Sequence, residues 1–291
     1  MLPDWQTLVA PRPLTERAIQ LRLAGLASPM WFASACSADL KELPTETILT
    51  SVEDTRAGAF KFGQPRENFT LGRLAGKLAL VAAVGTSTPL TPALSPGGSE
   101  GKAVVRRLRS FEIGNGERGE PVVRAGDLPP SLAKEASDGD GKSSALGVSL
   151  SHVNGWGVAV AFPAGERVGL DLELIDARRA ETVRKGVPLS PEEESWLKES
   201  ALPEAAALLL LWTARESLGK ALGCGLACQW ASLALGGIQS LNGSLWSGRF
   251  LHHPEFRCIT WFGPNALMSI AFDEHPQALS SRSLDRSSLP Q

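Results

Sequence analysis

Two acidic residues, Asp171 and Glu173, are separated by a single leucine within an otherwise apolar stretch of the chain. Side chains alternate between the two faces of a β-strand, so both carboxylates are predicted to share one face while Val168, Leu170 and Leu172 take the other. Two like charges this close raise each other's pKa unless a cation lies between them, so a bound Mg²⁺ accounts for keeping both. A half-exposed strand with two solvated acids is the commoner arrangement for such a pair taken alone, and the neighbouring motifs must decide.

A helix predicted from about Glu204 to Leu222 carries a second group of polar residues. Its first half is almost wholly apolar, so the helix should be buried. Trp212, Glu216 and Lys220 nevertheless form one stripe along it, at intervals of four residues. Glu216 and Lys220 also have the order of a surface ion pair worth about 0.3–0.5 kcal/mol, which is the alternative explanation. On a helix suited to a core, the two charged groups indicate a functional site.

A serine and a histidine, Ser151 and His152, end an alternating segment just before the turn residues Asn154 and Gly155. At a strand end beside a glycine turn, a hydroxyl and an imidazole can both reach an anion. A histidine in such a place is more often a capping or core residue, and that interpretation stays open. Arg73 and Lys77 lie one turn apart on another predicted helix, where they form a solvated face unless an anion must be held nearby.

Few elements are needed to position these residues. The periodicity and the turn signals predict strands at 30–35, 148–152, 156–162 and 168–173, helices at 43–62, 68–84 and 204–222, a hairpin around 114–119, and a helix that begins at Ser190-Pro191-Glu192-Glu193. The last three of these strands are expected to be consecutive strands of one sheet. The stretches 86–101 and 127–145, rich in glycine and polar residues, are expected to be loops.

Composition excludes several classes of function. The net charge of −2 gives no overall basic field for nucleic acid or anionic lipid, so any anion site must be local. The four cysteines do not form a zinc set, and we expect them to be reduced. No apolar run approaches about 18 residues and no leader segment is evident, so we expect a cytoplasmic protein without a membrane segment.

Taken together, the motifs resemble the ordered set found in the 4′-phosphopantetheinyl transferases. The matching segments are Ser151-His152, Gly169-x-Asp171-x-Glu173 and Trp212-x-x-Arg215-Glu216-Ser217-x-x-Lys220. Farther upstream, Arg56-x-x-x-Phe60 and the segment 71–80 are similar to the N-terminal half of the long, surfactin-synthetase-type members. Two similar halves form a pseudo-dimer in that class, and Leu43-Pro44-Thr45-Glu46 weakly echoes Leu189-Ser190-Pro191-Glu192.

The resemblance implies an α+β fold with two similar halves, each a small antiparallel sheet packed with helices. The expected N-terminal half is 25–126, with the inserted loop 86–101. A linker at 127–145 would lead to a C-terminal half at 146–272 that carries the metal site, and 273–291 would be a disordered tail. Such a chain is expected to work as a monomer.

The resemblance also implies an activity. The protein would transfer the 4′-phosphopantetheine group of coenzyme A to a serine of an apo acyl or peptidyl carrier protein, with Mg²⁺ as the cofactor. Mg²⁺ would be held by Asp171, Glu173 and Glu216. Glu216, or a water that it orients, would take the serine proton, and Lys220 would stabilise the leaving phosphate. The residues that would hold coenzyme A are Arg56, Ser151, His152 and Lys220.

Two positions depart from the family pattern. Arg215 replaces a lysine of the tryptophan motif, and Glu120 stands in Gly119-Glu120-Pro121 where the family usually has Gly-Lys-Pro. Arg118 or Arg124, or basic residues nearer the N-terminus, would then have to replace the missing lysine. Two other functions therefore remain open: a coenzyme A-binding or carrier-binding protein without turnover, and another Mg²⁺-dependent phosphohydrolase that uses the same acids.

Overall fold

Antiparallel strands and packed helices make up the described structure. The computed structural model describes residues 2–10, 12–13, 16–84, 108–125 and 146–274. Its strands are β1 (Ala18–Leu21), β2 (Met30–Cys36), β3 (Phe111–Asn115), β4 (Pro121–Ala125), β5 (Leu146–Val153), β6 (Trp156–Pro163), β7 (Val168–Leu174), β8 (Leu235–Asn242), β9 (Leu245–Phe250), β10 (Phe256–Phe262) and β11 (Ala266–Asp273). Its α-helices are α1 (Trp5–Val9), α2 (Asp39–Glu42), α3 (Thr45–Ile48), α4 (Ser51–Gly58), α5 (Gly63–Val84), α6 (Ala177–Gly186), α7 (Pro191–Glu199) and α8 (Glu204–Ala221). The predicted α+β class is confirmed.

The strands form two principal sheets. The first has the order β1-β2-β6-β5 and the second has the order β7-β11-β10-β9-β8, while β3 and β4 pair with each other. The prediction that β5, β6 and β7 are consecutive strands of one sheet is therefore wrong for β7, which pairs with β11. Between β6 and β7 the chain turns at Gly165, whose φ of +96° suits glycine. The predicted C-terminal half, 146–272, includes β5 and β6. In the structure, β6 pairs with β2, which lies in the predicted N-terminal half.

One apolar cluster joins the two sheets. Phe32 and Val160 of the first sheet and Leu170 and Ile270 of the second belong to the same buried core. Leu170 therefore faces this core as the alternation on β7 predicts, and the acidic residues of β7 take the opposite face. The long helices α5 and α8 lie on the first and the second sheet, respectively.

The region predicted as one helix from 43 to 62 is divided. It forms α3 and α4 instead, because Thr50 begins a new helix: its hydroxyl accepts from the amide of Glu53 (3.3 Å), and the Glu53 carboxylate accepts from the Thr50 amide (2.9 Å). The next helix starts at Gly63, five residues before the predicted start at 68. The predicted helix start at Ser190 and the predicted helix over 204–222 are both confirmed.

A buried ion pair fixes α5 to this N-terminal capping box. Lys77, fully buried on α5, donates to Glu53 (2.6 Å) and to the carbonyl of Ile48 (2.6 Å). The other oxygen of Glu53 accepts from the amide of Ile113 at 2.9 Å. One carboxylate thus caps α4, neutralises a lysine and holds the start of β3.

The same arrangement recurs on α8. Arg215, also fully buried, pairs with Glu193 of the α7 capping box and donates to the carbonyl of Pro188 at 3.1 Å. Glu193 in turn accepts from the amide of Leu235 at the start of β8 (2.9 Å). The capping box Thr50–Glu53 thus makes contacts like those of the capping box Ser190–Glu193, whereas the predicted similarity is between 43–46 and 189–192.

Several predicted features lie outside the described residues. These are the loop 86–101, the linker 127–145 and the tail beyond Glu274. None of the described helices combines the length and the hydropathy needed to cross a lipid bilayer. The structure pairs Cys224 with Cys228, so the prediction of four reduced thiols is wrong for these two, while Cys36 and Cys258 are free.

Candidate active site

A cleft of about 680 Å³ brings together most of the residues singled out by their chemistry. It is lined by α5, by the turn between β3 and β4, by β5 and by the C-terminal part of α8. Its charged and ionisable side chains include Arg73, Arg118, Glu120, His152, Glu216 and Lys220. Ser151 and His152 therefore face the same space as Glu216 and Lys220, although about 65 residues of sequence separate the two pairs.

Gly169 explains how α8 comes so close to β7. A Cβ atom at this position would overlap the carbonyl oxygen of Ser217 and crowd the amide of Ala221. Only glycine lets the helix backbone cross the strand at this distance. The crossing places Lys220, one turn after Glu216 on α8, beside Asp171 on the strand.

Lys220 directs all three of its N–H donors at acceptors on β5 and β7. Its Nζ lies 2.7 Å from Oδ1 of Asp171, 2.9 Å from the carbonyl of Leu170 and 3.3 Å from the carbonyl of Leu150. The Ser151 hydroxyl donates to the same Asp171 oxygen at 2.9 Å. The alternative of a surface ion pair between Lys220 and Glu216 is not what the structure contains, because Lys220 pairs with Asp171.

Glu173 is held by two side chains at the edge of the site. Arg179 of α6 donates to Oε1 from Nε (3.0 Å) and from Nη2 (2.6 Å), and the indole of Trp212 donates to the same oxygen (2.9 Å). The Trp212 ring stacks on Trp230 with the centroids 4.8 Å apart. These contacts fix the direction of the Glu173 carboxylate.

Glu216 is half-buried. Of the three acids Asp171, Glu173 and Glu216, it is the one whose residue lines the cleft in the described structure. Burial, together with the charges of Asp171 and Glu173, raises the pKa of Glu216 to about 7, and Lys220 and Arg179 oppose that rise. A carboxyl with this pKa exchanges a proton near neutral pH. The predicted stripe is confirmed: Trp212, Glu216 and Lys220 are the half-buried positions on a face of α8 whose neighbours are buried.

The fit of this site to a metal can be judged from its donors. Among the described residues, no three His, Cys, Asp or Glu side chains are close enough together to hold a metal ion in this arrangement. The donor chemistry does fit Mg²⁺, which prefers carboxylate oxygens. The pKa of Glu216 is raised first by burial and then by the negative charge of Asp171 and Glu173. A divalent cation would offset that negative charge.

The comparison with protein families agrees with this geometry. Residues 167–271 match the family model of the 4′-phosphopantetheinyl transferase superfamily. The match covers 105 of the 291 residues. It runs from the start of β7 into β11, so it contains the second sheet, α6, α7 and α8. No curated protein matches the chain.

The similarity of residues 167–271 to this superfamily supports transferase activity and the use of coenzyme A in general terms. Of the four residues predicted to hold coenzyme A, Ser151, His152 and Lys220 line the cleft and Arg56 does not. Arg56 donates instead to Asn115 (3.0 Å), which does line it. Burial, followed by the nearby charge of Lys220, lowers the pKa of His152.

Arg73 belongs to the segment 71–80 that resembles the family, and the sequence predicted a solvated helix face for it unless an anion must be held nearby. Arg73 is 7% exposed, lines the cleft and lies over the ring of Phe69 at 4.4 Å. Its Nε is buried and finds no hydrogen-bond partner among the described residues, with the nearest carboxylate, Glu53, at 3.8 Å. Burial lowers the pKa of Arg73 to about 10. A buried, under-paired guanidinium beside a cleft is a ready partner for an anion.

The two departures from the family pattern have structural explanations. Glu120 is folded back onto its own turn, where it accepts from the amide of Arg118 at 2.9 Å. Arg118 lines the cleft, whereas Arg124 pairs with Glu112 at 3.1 Å and is 59% exposed. Arg215 contacts Glu193, Pro188 and Trp230, so the described contacts of this motif residue are with the protein core.

Proposed function

We propose that the protein transfers the 4′-phosphopantetheine group of coenzyme A to a serine of an apo acyl or peptidyl carrier protein, with Mg²⁺ as cofactor. The observation that carries this proposal is Glu216. Its carboxyl faces the cleft with a pKa of about 7, beside the Asp171–Lys220 pair. The superfamily domain that contains all three residues supports phosphopantetheine transfer in general.

Asp171, Glu173 and Glu216 would hold the Mg²⁺ ion, which when bound would neutralise charge on the phosphate oxygens. Glu216, directly or through a water, would accept the proton of the carrier serine. The serine oxygen would then form a bond to the phosphorus nearer the pantetheine, and the bond from that phosphorus to the 3′,5′-adenosine bisphosphate would break.

Lys220 would hold Asp171 in place and stabilise the leaving phosphate. Its three donors are used by Asp171, Leu170 and Leu150, and the longest of these contacts, 3.3 Å to the Leu150 carbonyl, is the one that a phosphate oxygen would most easily replace. A lysine that exchanges a weak carbonyl contact for a charged oxygen gains a charge-assisted hydrogen bond. The ion pair with Asp171 would stay intact during this exchange.

The phosphates of coenzyme A would be bound by other basic residues that line the cleft. Arg73, whose Nε has no hydrogen-bond partner among the described residues, and Arg118, on the turn before Glu120, both line the cleft and would take this role. His152 and Ser151, on β5, line the same cleft. Arg118 would replace the lysine that the family usually has at the position of Glu120.

We also infer that the chain has the long, pseudo-dimeric organisation. The matched contacts of Lys77 and Arg215 support it, as does the strand order β2-β6-β5, which parallels β7-β11-β10. When α5 and α8 are aligned on these two residues, Leu78 takes the place of Glu216 and Ala82 that of Lys220. The first repeat would therefore lack the acid and the lysine, and one site per chain would result.

A test is the transfer reaction itself, with Glu216→Gln as the decisive variant. Purified protein would be incubated with coenzyme A, Mg²⁺ and a panel of apo-carriers, and the carriers weighed intact. Glu216→Gln should lower turnover by about 100-fold or more, the scale for losing a positioned base. Glu192→Gln on the exposed first turn of α7 makes the same change away from the cleft and should leave turnover unchanged.

The alternatives predict other results. A binding protein without turnover would bind coenzyme A but modify no carrier in the panel. A phosphohydrolase would release phosphate from small nucleotides without any carrier. Equal turnover in wild type and Glu216→Gln would remove the core of the proposed mechanism.

A further inference from the structure

Arg179 is a cation that the proposed mechanism does not use. It lies on α6, six residues after Glu173, and gives that carboxylate both of the hydrogen bonds described above, from Nε and Nη2. Its guanidinium also lies over the ring of Trp212, 4.8 Å from the centroid. The side chain is 39% exposed, so it borders solvent at the edge of the acidic cluster.

The Glu173 oxygen that Arg179 contacts is fully used. Oε1 receives two N–H groups from Arg179 and a third from the Trp212 indole. A carboxylate oxygen offers about two lone-pair sites, so three donors saturate it. A cation that approached Glu173 through Oε1 would have to displace at least one of them.

Charge leads to the same conclusion as geometry. An arginine beside a carboxylate offsets its negative charge and repels any other cation in the vicinity, with twice the energy for a divalent ion as for a monovalent one. Arg179 is near enough to Glu216 for its charge to act on that carboxyl as well. The positive charge of Arg179 therefore acts on two of the three acids proposed as metal ligands, Glu173 and Glu216.

Resting on the proposed function, we propose that Arg179 is a resident counter-ion of Glu173 that competes with a divalent cation for the acidic cluster. The free protein would bind the metal weakly because Arg179 already offsets part of the charge. Binding would strengthen once the guanidinium leaves Glu173. Stacking on Trp212 gives Arg179 a second contact that does not depend on the carboxylate.

The test measures metal binding without coenzyme A or carrier, with Mn²⁺ followed by electron paramagnetic resonance. Arg179→Met keeps an apolar side chain on Trp212 but removes the charge, and should bind Mn²⁺ about tenfold more tightly than wild type, the order expected from Coulomb's law at this range. Arg179→Lys keeps the charge and should stay within about threefold of wild type. Arg178→Met removes the same charge from the neighbouring exposed position of α6 and serves as the matched control.

The outcomes separate the two proposals. Equal or weaker Mn²⁺ binding in Arg179→Met than in wild type would overturn the counter-ion role while leaving the metal site in place. A lysine variant that bound as tightly as the methionine variant would overturn it too. Absence of binding in every variant that unfolds cooperatively would overturn the metal site and, with it, this inference.

Discussion

Lys220 reaches across from α8 to Asp171 on β7, with Nζ and Oδ1 2.7 Å apart, and does not pair with Glu216 one turn before it on the same helix. This contact determines the electrostatic environment of both helix residues, Lys220 and Glu216. Lys220 is occupied by the strand, and Glu216 has no ion-pair partner among the described residues; its pKa, raised chiefly by burial, is about 7. An ion pair within α8 would have lowered that pKa instead.

Replacing Lys220 by methionine should therefore damage the site more than the fold. Asp171 would lose its cationic partner next to two further acids, and the leaving phosphate would lose a donor. We expect turnover to fall by about 100-fold or more, with weaker coenzyme A binding. Steady-state kinetics against one apo-carrier would measure both quantities. Lys185→Met, at a 74% exposed position of α6, is the control, and comparable losses in the two variants would contradict the role of Lys220.

Gly169 offers a test of the helix crossing that creates this contact. Gly169→Ala should force α8 away from β7, because the added methyl would overlap the Ser217 carbonyl. We expect a loss of about 1–3 kcal/mol of the free energy of unfolding, the usual cost of overpacking. Turnover of the folded fraction should fall too, because small displacements of catalytic groups cost about 100-fold. Urea unfolding and kinetics would measure both effects.

Gly186→Ala is the matched control for that experiment. Nothing lies within 4 Å of a Cβ built at Gly186, at the end of α6, so this variant should be as stable as wild type or slightly more so. If Gly169→Ala matched it in stability and turnover, the close crossing would not be needed for the site.

The sequence predicted the residues of the site more accurately than it predicted the pairing of the strands. Spacing alone placed Asp171 and Glu173 on one strand face and Trp212, Glu216 and Lys220 on one helix stripe, because the periods of strands and helices are fixed by local geometry. The partner of β7 could not be predicted this way. A short apolar strand pairs equally well with several neighbours, and the turn at Gly165 alone does not say which sheet receives it.

Arg73 and Arg215 show the same limit for single residues. Both are basic residues within predicted helices, and the sequence pattern does not show which acceptors either one contacts. The structure gives Arg215 a buried carboxylate and two carbonyls, whereas the Nε of Arg73 faces no acceptor within hydrogen-bond range among the described residues. Whether a charge is structural or free to bind a ligand depends on long-range contacts that no local pattern contains.

The thiol of Cys258 should be unreactive in the native protein. Burial on β10 raises its pKa to about 11, so below that pH almost no thiolate is present, and the thiolate is the reactive form. Iodoacetamide at pH 8 should leave Cys258 unmodified in buffer and modify it in urea, as peptide mass mapping would show. The same shift means that Cys258 stabilises the fold below about pH 9, where the unfolded thiol is neutral, and that this contribution is lost as the pH rises toward 11. Equal labelling in buffer and in urea would show that β10 opens freely.

Variants of Arg215 can distinguish a structural role for this residue from the ligand-binding role that the family motif suggests. If the buried Arg215–Glu193 pair only holds α8 to α7 and β8, Arg215→Met should lower the free energy of unfolding by about 3–5 kcal/mol, because it leaves a buried carboxylate without its cation. Turnover and coenzyme A affinity of the molecules that remain folded should change little. Lys77→Met, which breaks the equivalent pair with Glu53 on α5, should give a similar loss of stability.

The measurement combines urea unfolding with kinetics at a temperature where each variant is folded. Arg215→Lys extends the test if the methionine variant is too unstable, since lysine keeps the charge but cannot contact Glu193 through two nitrogen atoms as arginine does. It should lose part of the stability and none of the turnover. A lysine variant with normal stability and impaired coenzyme A binding would place Arg215 among the ligand-binding residues and contradict the structural role assigned to it.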